Sequence, residues 1–297
     1  MRDSVAIVTL PDEVRAACAD VAAHARSVTI DADALDVLDP GPPPELDRAR
    51  HYLDGPPEVV GDYLLTLDTI NFGSGWFPTL AKRPRSSGYF TVAWALADRF
   101  RSAGPWTSAE LRAMRTEEIA DTLGQRRDHE LMALYAQALR ELGRFLDGRR
   151  AVDLVAQSKG SAVALARALA GGMAFYDDRG FYKRAQIVPS NLALAGGASF
   201  KDLDRLTIFA DNLVPHVLRC DGVLTYTDGL AALIDSGRPL RLGPQEREIR
   251  ACAVHACELL GERLGLPARE IDHRLWTRGQ QPEYKARPRH RCRCVYY

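Results

Sequence analysis

The stretch QEREIRACAVHACELLGERL, Gln245 to Leu264, decides the fold class. Ile249, Ala253, Ala256, Leu260 and Leu264 fall at offsets of four, seven, eleven and fifteen, which puts all five on one face of an α-helix. The same spacing recurs upstream, where Leu131, Leu134, Ala138, Leu142 and Phe145 form an apolar stripe. Ala162 to Ala170 reads AVALARALA, strongly helix-prone, with Gly171-Gly172 expected to end it. Thr107-Ser-Ala-Glu110 spells a capping box and predicts a helix through Met114. Strand candidates are few: Val5–Leu10 and Tyr63–Leu67. The prediction is a mainly α helical bundle with few or no short strands.

The remainder of the composition bounds the function classes. A chain of 297 residues suits one large domain or two ordinary ones. With no domain-scale shift in composition, one domain over 1–297, divisible into two helical lobes around a cleft, fits best. Lys plus Arg is 39 and Asp plus Glu is 39, so bulk electrostatic binding to a polyanion, and with it a stable nucleic-acid complex, is not expected. The apolar run before Pro11 is too short for a signal peptide, and no run approaches the length of a membrane span. The six cysteines are scattered, form no CxxC pair, and Cys292-x-Cys294 lacks zinc spacing. Reduced thiols in a cytoplasm, no metal and no membrane partner are the expectation. P-loop, nucleophile-elbow and dinucleotide fingerprints are absent.

Pro40-Gly-Pro-Pro-Pro44 and Gly55-Pro-Pro57 bracket an expected short helical segment, and Asn71-Phe-Gly-Ser-Gly75 reads as a loop. Four segments could carry chemistry. In Asp204–Tyr226, DRLTIFADNLVPHVLRCDGVLTY, Leu206, Ala210, Leu213 and Val217 share a helical stripe. Pro215 predicts a break between Asp211 and itself, with a new helix starting there and a Gly-containing turn to a second helix at Asp228–Ile234. Asp211 then reads either as an N-cap or as a catalytic carboxylate backed by Phe209, with His216 about one turn away. In Gly180–Ile187, Tyr182, Lys183 and Arg184 either grip a phosphate and stack on a ring or form a solvated basic turn. In Leu67–Pro78, Asp68, Asn71, Phe72 and Trp76 either line a base-sized pocket or pack a core loop. The last segment, Trp276 to Tyr297, alternates cations before closing on Tyr296-Tyr297, and either docks on the body or frays. His51, His255 and His273 lack metal spacing with one another.

In order along the chain, these segments resemble the queuosine salvage family, the queuosine 5′-phosphate N-glycosidases. The match runs through His51-Tyr-Leu-Asp-Gly55, Leu67-Asp-Thr-Ile-Asn-Phe72, Ser87-Gly-Tyr89, Phe181-Tyr-Lys-Arg-Ala-Gln-Ile187 and Phe200-Lys-Asp202. It continues through Thr207-Ile-Phe-Ala-Asp211 with Pro215, Glu248-Ile-Arg250 and Leu275-Trp276, and ends on Arg291-Cys-x-Cys-Val-Tyr-Tyr297. The resemblance implies an all-helical fold similar to helix-hairpin-helix DNA glycosylases, hydrolysis of an N-ribosidic bond in a free nucleotide, and no metal or organic cofactor. By motif matching it makes Asp211 the catalytic carboxylate, with Phe209 and His51 as substrate contacts.

Cleaving a ribose–base bond builds positive charge on the sugar, which a fixed carboxylate stabilises. A 7-deazapurine has no N7 to protonate, so help for its departure must come from elsewhere on the base. Lys183 or Arg184 is the expected holder of the 5′-phosphate; Phe72, Trp76 or Phe209 is the expected stacking ring. The chain departs from the family's usual pattern at Gly73-Ser-Gly75, at Asn212-Leu-Val-Pro-His216, and at Thr277-Arg278-Gly-Gln280, where the family often carries acids that bind substrate. Trp276, Thr277, Arg278 and Tyr296 complete the expected substrate-binding set. A different modified base, or a non-catalytic nucleic-acid binder using the Lys285–Arg293 tail, are the alternative readings.

Overall fold

The computed structural model describes residues 8–297. Among them lie fifteen α-helices and one two-stranded antiparallel sheet, so the protein is mainly α. The long helices follow the apolar stripes: Glu130–Leu146 buries Leu131, Ala138 and Leu142 with Leu134 and Phe145 partly covered, and Pro244–Leu264 buries Ile249, Ala253, Ala256 and Leu260 while Leu264, at its end, is exposed. Gly171 and Gly172 form the last turn of helix Ala162–Gly172 instead of ending it before them, and the Thr107–Glu110 box caps a shorter helix, Ser108–Arg112.

Several local expectations are corrected. Tyr63–Leu67 is the middle of helix Pro57–Thr69, not a strand; every side chain from Tyr63 to Thr69 is buried, polar Thr66, Asp68 and Thr69 included, so no exposed face marks a helical period. Part of the other strand candidate, Val5–Ile7, lies outside the described residues, and Leu10 opens helix Leu10–Ala23 with Pro11 in its first turn. The strands are Val28–Ile30 and Leu224–Tyr226, paired Val28 to Tyr226 and Ile30 to Leu224. The second therefore separates helix Val214–Cys220 from helix Asp228–Asp235, where a simple turn was expected. Residues 41–56 form no helix; Asp47 accepts from Ala49 N and Arg50 N, which folds the segment into a turn.

Apolar burial falls into two clusters. One gathers helices Pro57–Thr69, Gly88–Ala103, Glu130–Leu146 and Ala162–Gly172 around Tyr63, Leu96, Tyr135 and Leu139. The other joins residues near both ends of the chain, Val14 and Cys18 with Val217, Leu218, Val254 and Ile271. Helix Lys183–Leu194 and the irregular segment 207–212 run between them and line a shared cavity. The last residues dock on the body: Cys292, Cys294 and Tyr297 are buried, and Gly73 N and Ser74 N both donate to the Tyr297 carbonyl. A Cβ on Gly75 would fall 2.5 Å from the Cys292 carbonyl oxygen, so the Gly73-Ser-Gly75 sequence is what lets the tail lie this close. No helix among the described residues is long and apolar enough to cross a membrane.

Candidate active site

A cavity of about 490 Å³ opens between the two clusters, a size suited to a nucleotide. Its walls come from places far apart in sequence: the 44–51 turn, residues between 71 and 90, helix Lys183–Leu194, the 209–213 segment, helix Ala268–Arg278 and the residues that follow it.

Asp211 sits where residues 207–212 end and helix Val214–Cys220 begins. The segment upstream of it has no regular secondary structure, so the stripe from Leu206 to Val217 reflects burial of an irregular segment followed by a helix, not one broken helix. Asp211 Oδ1 accepts from Leu213 N at 2.7 Å and Val214 N at 3.1 Å. One carboxylate oxygen thus satisfies two backbone N–H groups at the start of the helix, and the residue lines the cavity. Oδ2 makes no hydrogen bond among the described residues.

Beneath it lies a row of buried polar groups. Lys183 Nζ donates to the Asn71 carbonyl at 3.2 Å. Burial pulls its pKa down, opposed by the charges of Asp211 and Asp68. Asp68 is fully buried and accepts from Asn191 Nδ2 at 3.0 and 3.1 Å and from Asn71 Nδ2 at 3.4 Å. Burial raises its pKa to about 6 against those donors and Lys183. On the far side Asp272 accepts from Phe209 N at 2.8 Å. Burial, then the neighbouring Asp211 charge, push its pKa up to about 8, so Asp272 keeps its proton at neutral pH.

The other wall is aromatic. Trp276 meets Tyr89 edge-on at 5.4 Å and Phe90 at 5.8 Å, and Phe209 meets His273 at 5.5 Å. His51 is buried, with Nδ1 2.8 Å from the Asp47 carbonyl and Nε2 3.0 Å from Tyr89 Oη. Burial lowers its pKa, and a neutral ring that donates from Nδ1 and accepts at Nε2 satisfies both contacts.

Of the residues singled out in the sequence, His51, Asn71, Lys183, Phe209, Asp211, Trp276 and Thr277 line this cavity. Asp68 lies directly behind it, against Asn71 and Asn191. The others are elsewhere. Phe72 packs on Tyr135 and Phe175, with the Arg184 guanidinium over its ring at 4.7 Å. Arg184 is itself buried and donates to the carbonyls of Thr69, Phe175 and Val295. Trp76 donates from Nε1 to Glu130 at 2.7 Å. Tyr182 precedes helix Lys183–Leu194 in a left-handed conformation, φ 50°, outside the cavity lining. His216 donates from Nε2 to the Tyr284 carbonyl behind the Asp211 helix, Arg278 pairs with Asp221 at 3.2 Å, and Tyr296 lines a separate shallow depression.

Sequence reasoning missed Asp272 and Asn191, gave Tyr89 no site role, and used Lys285 and Arg289 only in the tail of the nucleic-acid-binder alternative; all five line the cavity. For Asp272 a signal existed: it follows Ile271 and stands one turn before Trp276, an acid on the apolar side of a helix. Among the described residues no group of three or more His, Cys, Asp or Glu could hold a metal ion.

A family profile described as queuosine salvage protein matches residues 51–297, the span that contains every cavity residue except the 44–50 turn. The chain belongs to the queuosine salvage family. It is 32% identical over 309 aligned positions, 93% of this chain and 95% of its relative, to a protein of Sphaerobacter thermophilus named queuosine 5′-phosphate N-glycosylase/hydrolase. A Mus musculus protein of the same name is 28% identical, with 84% of this chain and 86% of that one aligned. A third from Dictyostelium discoideum reaches 37% identity over a shorter stretch, 39% of this chain and 40% of its own. For the queuosine salvage family member described here, the relation covers both buried clusters and the cavity between them.

Proposed function

We propose that this chain hydrolyses the N-glycosidic bond of queuosine 5′-phosphate and releases the base queuine, with the Asp211 carboxylate facing the sugar. The observation that carries this reading is a cavity-lining carboxylate, fixed through one oxygen with the other unbonded, in a member of a family whose relatives are named for this reaction.

As the C1′–N bond breaks, the electron pair leaves with the base and the ribose acquires oxocarbenium character. Two backbone N–H groups hold Oδ1 of Asp211, so Oδ2 opposes that charge without reorganising, and it can orient or deprotonate the attacking water. Water supplies the hydroxyl to C1′ and its remaining proton balances the departing base. Asp272, its pKa pushed up to about 8 by burial and the neighbouring Asp211 charge, is available as a donor to that base. Trp276, Tyr89 and Phe209 offer the faces and edges on which the flat base stacks. The free state of all six cysteines fits a reducing compartment, the cytoplasm.

The direct test is incubation with queuosine 5′-phosphate and detection of free queuine by mass spectrometry. Release by the native chain and its loss in Asp211→Asn is the expected result. A folded protein that releases no queuine would refute the reading, and a panel of other nucleotides would then identify the base.

A further inference from the structure

Asp68 does not line the cavity, yet it is the fully buried centre on which cavity-lining groups converge. Lys183, Ile187, Asn191 and Leu194 share one face of helix Lys183–Leu194, and all four line the cavity. Asn191 Nδ2 donates to both Asp68 oxygens, at 3.1 and 3.0 Å. From just beyond helix Pro57–Thr69, Asn71 Nδ2 donates to Asp68 Oδ1 at 3.4 Å. Burial raises the Asp68 pKa to about 6 and no further, because these amides and Lys183 favour the charged form. At pH 7 and above it is therefore a carboxylate, which accepts hydrogen bonds and cannot donate one. An amide oxygen turned toward it would set acceptor against acceptor, so each asparagine is held nitrogen inward and oxygen outward. Neither Oδ1 accepts a hydrogen bond among the described residues, and neither is sealed from solvent, while both residues line the cavity. A fully desolvated carboxylate is a costly way merely to fill space that an apolar side chain could occupy.

We propose that Asp68 is a positioning residue, which turns the Asn71 and Asn191 carboxamide oxygens toward the substrate as a fixed pair of acceptors for a vicinal diol. The inference rests on the hydrolase reading above and adds the group that sets hydroxyl recognition. Both amide nitrogens meet the same atom, Asp68 Oδ1, so the two carboxamides are neighbours and their oxygens suit two adjacent hydroxyl donors. Queuosine 5′-phosphate carries two such diols, one on the ribose and one on the cyclopentene ring of the base. Lys183 points to the ribose. Its ammonium donates to the Asn71 carbonyl at 3.2 Å; burial lowers its pKa, and the charge that most opposes this is that of Asp211, the carboxylate assigned to the sugar.

The test is selectivity between ligands that differ by the diol. Calorimetry at pH 8 compares ribose 5-phosphate with 2-deoxyribose 5-phosphate, and queuine with 7-aminomethyl-7-deazaguanine, which lacks the cyclopentenediol. The native chain should prefer ribose 5-phosphate by about 10-fold, the worth of a hydroxyl that faces a site built to accept from it. In Asp68→Asn the new amide can accept from one asparagine, but its own NH2 draws the oxygen of the other inward. A donor then faces the hydroxyls, the preference should vanish, and kcat/KM for queuosine 5′-phosphate should fall about 10-fold with it. Loss of a preference for queuine instead would support the positioning role and place the pair on the ring diol. Equal weakening of all four ligands, the mark of a merely structural role, or an unchanged preference overturns the proposal. If Asp68→Asn does not fold, Asn191→Ala, which keeps the carboxylate, should lose the same preference, and its retention overturns the proposal. Diol preference in a native chain that releases no queuine would refute the hydrolase reading and leave the diol site standing. Queuine release without either preference would refute the diol site alone, and a native chain with neither fails both.

Discussion

The floor and the rim of the cavity are built on opposite principles. On the floor, Asp211, Lys183, Asp68 and Asp272 are each tied to a backbone or amide partner: two helix N–H groups, the Asn71 carbonyl, the Asn191 amide and the Phe209 N–H. At the rim, Arg289 and Lys285 are left without partners, and the 44–51 turn that carries Arg50 has no regular secondary structure. On the proposed hydrolase reading, the anchored floor groups need not reorganise as charge develops, and the rim cations stay open to a charged ligand.

Substitutions on the floor should therefore damage turnover, and those at the rim should change which substrate is taken. The largest effect is expected for Asp211→Asn, a fall in kcat of about 1,000-fold. The asparagine can still accept from Leu213 N, so its melting temperature should stay close to that of the native chain, and a large drop would show that capping is the main role. Lys183→Met comes next. It leaves Asp211 and Asp68 without the cation between them, and should lower kcat by about 100-fold and cost about 3 kcal/mol in urea denaturation. Full stability with lost activity would mean that the lysine touches substrate and adds nothing to the fold.

Asp272 gives a pH signature. Its pKa is raised to about 8, so the folded state holds a proton that the unfolded chain releases near the ordinary carboxylate range. This group's contribution to stability is therefore present below that ordinary range and declines as pH rises toward 8. Activity should decline above pH 8 for the same reason, as a second negative charge forms beside Asp211. In Asp272→Asn that alkaline limb should vanish, and its persistence would assign the limb to another group. The smallest effect is at Thr277, which lines the cavity where the family often carries an acid. Thr277→Asp should lower KM for the aminated queuosine substrate by a few-fold and leave kcat near native, in keeping with a partly exposed ion pair.

How much of this was legible follows from how each residue's context is encoded. Helices with one apolar face were readable because periodicity records one buried side, and the helix start at Pro215 was readable because proline geometry is local, although no helix precedes it. Helix Pro57–Thr69 was not, since burial on all sides erases the period. Lys183 and Arg184 carry the sharper lesson. Adjacent positions on a helix point about 100° apart, so one reaches the cavity and the other the core, and nothing in the string FYKRAQI says which. Phe72 and Trp76 were read as pocket rings because aromatics beside glycines suit either a pocket or a core. The deciding partners, Tyr135 and Glu130, lie some sixty positions away.

The second buried cluster has a consequence for how the chain is made. Arg15 meets Glu258 at 2.8 Å across 243 positions, and helix Leu10–Ala23, with its Val14 and Cys18 face, packs chiefly against helix Pro244–Leu264. During synthesis the first cluster can assemble while this early helix waits, its apolar stripe uncovered, until most of the polypeptide has left the ribosome. The cavity, walled by both clusters, is completed only after that closure. Premature termination anywhere before residue 250 would thus give a partly folded product with an adhesive helix at its start, prone to aggregate rather than merely inactive.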